Sequence, residues 1–182
     1  MKLVMIDIEG MNLVPHKTRI MQLSAAFFDE EGNILSTFNE FSGKEPHMFP
    51  DWTWDDPDTM KFWKAQPTWE KMVGAMAIHG RSYQSMIKLF REWMITQSGE
   101  ERTLVYACGP QYDIATLDEY FRQLGYEAPW RFYSVRDYRT IREQYRDRIA
   151  DSVHYGDHMA HNDVVAQIHN LVQCIRAGYI PS

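Results

Sequence analysis

The feature that most constrains this chain is a short apolar run at its start, Leu3-Val4-Met5-Ile6, which continues through Ile8 and carries Asp7 and Glu9 at its end. A compact apolar run of strand length belongs in the middle of a sheet, covered on both faces. Side chains at i and i+2 of a strand share a face, so both carboxylates project together from the C-terminal end of that strand. Two acids displayed side by side there are costly unless a cation lies between them. The triplet alone is a common accident of sequence, and its weight depends on what lies downstream.

Residues Ile20 to Asp29 read as a second strand, Glu30 to Asn33 as a turn, and Ile34 to Phe41 as a returning strand, so three consecutive antiparallel strands are predicted. Residues Ser42 to Asp56, with Pro46 and Pro50, read as a loop. A short helix is predicted over Asp58 to Gln66. A longer one over Ser82 to Thr96 carries Met86, Ile87, Leu89, Phe90, Trp93 and Met94 at helical spacing. Thr103 to Ala107 has a buried-strand pattern ended by Cys108-Gly109-Pro110, and Asp113 to Leu124 reads as a helix closed by Gly125. A short strand near Trp130 to Tyr133, a helix over Val135 to Arg148, and a last helix from near Asn162 to Gly178 complete the reading. The order βββ, then α, β, α, β, α predicts an α/β fold with a mixed sheet flanked by helices. The length of 182 residues suits a single domain, residues 1–182.

Composition adds exclusions. The net charge of −6 argues against a protein that holds nucleic acid mainly by a basic surface, although metal ions in a site can supply the positive charge that meets a phosphate. The two cysteines, Cys108 and Cys174, form no CxxC pair and suit a reduced compartment. The N-terminal run is too short and too soon charged for a signal peptide. No stretch approaches the roughly 18 apolar residues of a membrane span. A soluble, cytoplasmic protein is expected.

Asp113 sits at the start of a helix that follows a strand and a Gly-Pro loop, where sites of open α/β sheets form. It also suits an N-cap, which Asp favours. Further on, His158-Met-Ala-His-Asn-Asp163 places an imidazole in a loop and a carboxylate in the first turn of the last helix. His161 is a rival for the imidazole role. His154, Asp157, His158 and His161 together raise the question of a transition-metal site, but no cysteine accompanies them and their spacing matches no zinc pattern.

The DIE of Asp7 to Glu9, the GPQYD ending in Asp113, and the H-x4-D of His158 to Asp163 resemble the DEDDh 3′→5′ exonucleases, members of the proofreading-exonuclease superfamily with a ribonuclease H-like fold. FWKAQ at Phe62 to Gln66 and VRDYRT at Val135 to Thr140 bring the chain closest to the phage exonuclease A type and related bacterial exoribonucleases. It departs from that pattern at Gly10, where a threonine is common, and at Phe62, where a second tryptophan is usual. The resemblance implies an enzyme of a bacterial cell or its phage. It would hydrolyse phosphodiester bonds at the 3′ end of single-stranded DNA or RNA and release nucleoside 5′-monophosphates. It allows a homodimer.

The chemistry agrees with that expectation. Four carboxylates within about 5 Å repel by roughly 3 kcal/mol per pair at an effective dielectric near 20. Two divalent cations, Mg²⁺ or Mn²⁺, would neutralise them and suit their hard oxygens. By resemblance Asp7, Glu9, Asp113 and Asp163 hold the metals, and His158 takes a proton from the attacking water. An imidazole's ordinary pKa near 6.5 fits that task. Met11 and Asn12, next to the acids, are candidate contacts to the terminal base and sugar. Trp63 could stack a base, or it could be core. Arg136 and Arg139 could reach phosphates, or pair with Asp137 and Glu143 in their own helix. A phosphodiesterase acting on small dinucleotides and a catalytically silent nucleic-acid-binding module of the same fold are the competing readings.

Overall fold

The computed structural model describes residues 1–150, 153 and 157–182. Five strands form one sheet in the order β3-β2-β1-β4-β5, with β1 Lys2–Gly10, β2 Ile20–Phe28, β3 Ile34–Phe41, β4 Thr103–Ala107 and β5 Val135–Asp137. β1 lies at the centre, antiparallel to β2 and parallel to β4, and β4 is parallel to β5. The β2–β3 turn closes as its residues require. Gly32 adopts φ +96°, and the Asp29 carboxylate accepts from the backbone and side-chain N–H groups of Asn33, both at 2.8 Å.

The helices are α1 Pro57–Lys64, α2 Trp69–His79, α3 Tyr83–Ser98, α4 Asp113–Gln123, α5 Tyr138–Tyr145 and α6 Ala160–Arg176. Alternation along β1 divides the interior. Val4, Ile6 and Ile8 pack with Phe90 of α3 and Leu117 and Phe121 of α4, while Leu3 and Met5 pack with Tyr138 of α5 and Ile168 and Leu171 of α6. Asp7 and Glu9 continue the second row, so the acids face α6 by the same period-2 geometry that buries Leu3 and Met5. A third, methionine-rich cluster joins Met11, Met21 and Phe49 to Trp63 of α1, Met72 and Met76 of α2, and Met159. It secures α1 and α2 over the C-terminal end of β1.

Two expectations are corrected and one helix is added. The strand placed at Trp130 to Tyr133 lies instead at β5. Residues Phe132–Ser134 form a 3-10 turn, with Phe132 and Tyr133 exposed despite their strand propensity. The helix predicted from Val135 begins at Tyr138, because Asp137 caps it by accepting from the Arg139 amide, and it ends at Tyr145 before a 3-10 turn, Arg146–Arg148. Helix α2 had no counterpart in the sequence reading. Only Met72 and Met76 are buried along it, and Gly74 interrupts it, so it shows no apolar stripe to read.

At Gly10 the β1–β2 register shifts between Glu9 and Gly10. A Cβ on Gly10 would lie 2.3 Å from the Tyr112 hydroxyl and 2.4 Å from Thr18 Oγ1. These two groups are 3.2 Å apart, and Tyr112 donates to the Asn12 carbonyl at 2.7 Å. The departure from threonine thus has a steric reason. We predict that Gly10→Ala lowers stability by about 1–3 kcal/mol in urea unfolding, and that the same substitution costs less than half as much in a Tyr112→Phe background.

Candidate active site

The first two turns of α6 lie over the end of β1. There Asp163 and Gln167, four residues apart and so on one helix face, meet Asp7 and Glu9. Carboxylate oxygens of Asp7, Glu9 and Asp163 lie within 4.8 Å of one another. The Gln167 side-chain amide donates to Asp7 Oδ1 at 2.8 Å. Gln167 Oε1 is buried with no hydrogen-bond partner among the described residues.

Asp113 opens α4 and is 4% exposed. It makes no side-chain cap of its helix. Its Oδ1 accepts instead from the backbone N–H of Ile8, at 3.2 Å, so the fourth acid is tied to the segment between Asp7 and Glu9.

The electrostatics follow from burial and crowding. Burial is the main force raising the Asp7 pKa to about 7. Asp163 adds to the rise and the Gln167 hydrogen bond opposes it. Burial first, then the charges of Asp7, Asp163, Asp113 and Asp157, hold Glu9 well above the usual carboxylate range. Asp113 is raised in the same way by burial and by Asp7, while Arg139 pulls the other way. At 4.8 Å and an effective dielectric near 20, each pair of ionised acids repels by roughly 3 kcal/mol. An all-oxygen set under that repulsion fits divalent cations of the Mg²⁺ or Mn²⁺ kind. The unpartnered Gln167 oxygen fits them as well, as an acceptor beside the acids.

His158 lies in the segment entering α6 with φ +50°, the left-handed region that a non-glycine residue occupies only when its surroundings hold it. Its ring meets the edges of Phe62, at 5.2 Å between centroids, and Trp63, at 6.0 Å. The preceding residue is fixed from both sides. The Asp157 carbonyl accepts from the Thr68 hydroxyl at 2.6 Å, and the Asp157 carboxylate accepts from the Asn162 side chain at 2.6 Å and the Met159 amide at 3.2 Å. His161 is otherwise occupied. Its Nδ1 is 3.1 Å from Nε2 of the buried Gln22, and burial, then Lys71, lowers its pKa. His154 lies outside the described residues. Among those described, the group able to hold a metal is Asp7, Glu9 and Asp163.

The proposed substrate contacts fare unequally. Met11 is 7% exposed within the methionine-rich cluster, so it cannot wedge against a base without leaving the core. Asn12 is 4% exposed and shapes its own loop, donating to the Trp54 carbonyl and accepting from the Val14 amide. Trp63 is 3% exposed and offers no face for stacking. Arg136 lies in β5 rather than a helix, and its guanidinium is spent on the carbonyls of Tyr133, Val135 and Ser182. Arg139 alone of the five is exposed beside the acids. It donates to the Cys108 carbonyl at 3.2 Å, just past the end of β4. Sequence reasoning missed Gln167 and Gln22. The one available signal was the spacing that puts Gln167 a helical turn after Asp163.

A pH dependence follows. An acid whose folded pKa is raised binds more protons folded than unfolded, so stability falls as pH rises between the two values. For Asp7 that window runs from the ordinary aspartate value of 3.8 to about 7, and Glu9 and Asp113 act in the same direction. We predict that protein in EDTA loses stability as pH rises from 4 to 7. The Asp7→Asn variant should show a decline smaller by up to about 4 kcal/mol. Urea unfolding across that range is the check, and identical slopes for the two proteins would contradict it.

Residues 2–175 match the family described as the 3′-5′ exoribonuclease Rv2179c-like domain. No curated protein matches the chain in sequence. Among solved structures, the metal-free form of the E. coli ExoI–ssDNA complex is similar over 97% of this chain, at 14% identity and a TM-score of 0.69. E. coli Exonuclease I with a 5cy-dA13 oligonucleotide is similar over 96%, at 15% identity and 0.68. A moderately thermophilic Exonuclease I from Methylocaldum szegediense is similar over 97%, at 18% identity and 0.63. This chain spans 40% of each of those chains, and the likeness shows a shared ribonuclease H-like exonuclease fold. By its match over nearly the whole length, the chain belongs to the 3′-5′ exoribonuclease Rv2179c-like domain family, an enzyme family of 3′→5′ exonucleases.

Proposed function

We propose that this protein is a metal-dependent 3′→5′ exonuclease that shortens single-stranded nucleic acid, RNA in preference to DNA, and releases nucleoside 5′-monophosphates. The observation that carries the reading is the meeting of Asp7, Glu9 and Asp163 within 4.8 Å, on the side of the strand end facing α6. The family description supports RNA, and the oligonucleotide complexes of Exonuclease I make DNA the competing substrate.

Asp7, Glu9 and Asp163 would hold two divalent cations, with Asp113 supporting them from the Ile8 amide. Such ions supply Lewis-acid activation of water and charge neutralisation at the scissile phosphodiester. His158 accepts the proton of the attacking water. Its place in a loop between α1 and α6 gives the imidazole an approach that a residue within the helix lacks. Gln167 orients Asp7, and Arg139, exposed at the end of β4, meets a substrate phosphate. The comparisons support contact with nucleic acid and give no support to the homodimer that the resemblance allows. No helix among the described residues is long and apolar enough to cross a membrane.

The expected outcome for His158→Ala is a loss of hydrolysis of at least about 100-fold, with folding and Mn²⁺ binding retained. Asp7→Ala should lose both activity and metal binding, and excess EDTA should abolish turnover. Matched RNA and DNA strands and a dinucleotide, each incubated with Mg²⁺ and resolved by length, settle the substrate. Stepwise mononucleotide release from long strands is expected, and cleavage of the dinucleotide alone would replace the exonuclease with a small-molecule phosphodiesterase.

A further inference from the structure

Trp63 stands between the two halves of the site. Its indole N–H donates to the carbonyl of Gly10 at 2.9 Å, immediately after the register shift that follows Glu9. A bulge of this kind bends its strand and re-aims the neighbouring side chain, so whatever grips the Gly10 carbonyl also fixes where Glu9 points. The same indole lies 6.0 Å from the His158 ring, edge to face, and packs in one cluster with Met11 and Met159, the neighbours of Gly10 and His158. Phe62 closes the outer side of the imidazole, 5.2 Å from it and 5.6 Å from Trp63. Trp63 is thus buried, touches both catalytic segments, and offers no face to a ligand.

We propose that Trp63 is a positioning residue that couples the bulge aiming Glu9 to the imidazole of His158, so that the metal-binding acids and the proton acceptor keep one fixed separation. Helix α1 carries this link, and α2 reinforces it through Thr68 and the Asp157 carbonyl. The inference rests on the exonuclease reading with His158 as proton acceptor, and it adds a requirement. An aromatic ring at position 63 does not suffice without a donor to the Gly10 carbonyl.

Trp63→Phe keeps a ring and removes the N–H. At saturating Mn²⁺ we expect kcat on a single strand to fall by about 10-fold or more, in the range seen for residues that support metal ligands, while KM moves less than about 3-fold. Calorimetric titration of Mn²⁺ without substrate should show affinity weakened about 10-fold. In a His158→Ala background the same change should remove less than about 2-fold further in kcat, because residues acting as a unit are not additive. Phe90→Leu, in the core on the other face of the sheet, serves as the control for lost stability and should leave kcat unchanged. A Trp63→Phe loss no larger than that of the control, or equal factors in both backgrounds, overturns the inference. An inactive His158→Ala protein with additive losses sinks the coupling alone, whereas a fully active one sinks the proton-acceptor role and the coupling together. Should Trp63→Phe fail to fold, benzothienylalanine at position 63 removes the N–H from an otherwise unchanged ring and is held to the same outcomes.

Discussion

Like charge crowded and half-buried at the end of the central strand is the constraint on which the rest of this structure depends. Asp7 and Glu9 occupy the same row of β1 as Leu3 and Met5, so the packing that makes the sheet stable also draws two carboxylates half out of water. Asp163 and Asp113 are brought to the same point by the starts of two helices on opposite faces of the sheet. A protein selected for stability alone has little reason to assemble four acids there. Their convergence in a partly desolvated place is the informative fact: Asp113 is buried and the other three are half-buried, whereas fully exposed acids repel little.

Each neighbouring element answers part of that cost. The Ile8 amide and the Gln167 side chain give Asp113 and Asp7 one hydrogen bond each, and both bonds favour the ionised form. They offset only a fraction of the repulsion, and the balance is a binding energy available to cations. This also explains how a chain of net charge −6 can act on a polyanion. The attraction would be concentrated at cations held by these acids instead of being spread over a basic surface. The third cluster, rich in polarisable and adaptable methionine, then lets α1 and α2 seat the His158 segment against β1.

Much of this was legible in the sequence. The β1 acids were readable because strand period and apolar run coincide, and the β2–β3 hairpin because Gly32 and Asn33 stand where the turn needs them. Asp163 was readable because it starts an amphipathic helix. The rest was hidden for physical reasons. Aromatic residues at Phe132 and Tyr133 imitate a strand but are exposed, and the true edge strand is three residues long and runs straight into α5. Met11, Asn12 and Trp63 stand where substrate contacts are expected from their order in the chain, yet their side chains turn inward, Met11 and Trp63 into the methionine-rich cluster and Asn12 onto its own loop. Sequence order places a residue near a site without saying which way it faces. Gln167 was overlooked because a polar residue on a helix reads as solvated until the helix is docked.

The account's central claim is that these acids are brought together, half-buried, in order to hold cations. Calorimetric titration of Mn²⁺ into the wild-type protein and into Asp163→Asn tests it without any substrate. Two bound ions per wild-type chain, with at least one lost in the variant, is the predicted result. Equal binding by both proteins, or none by either, would contradict it.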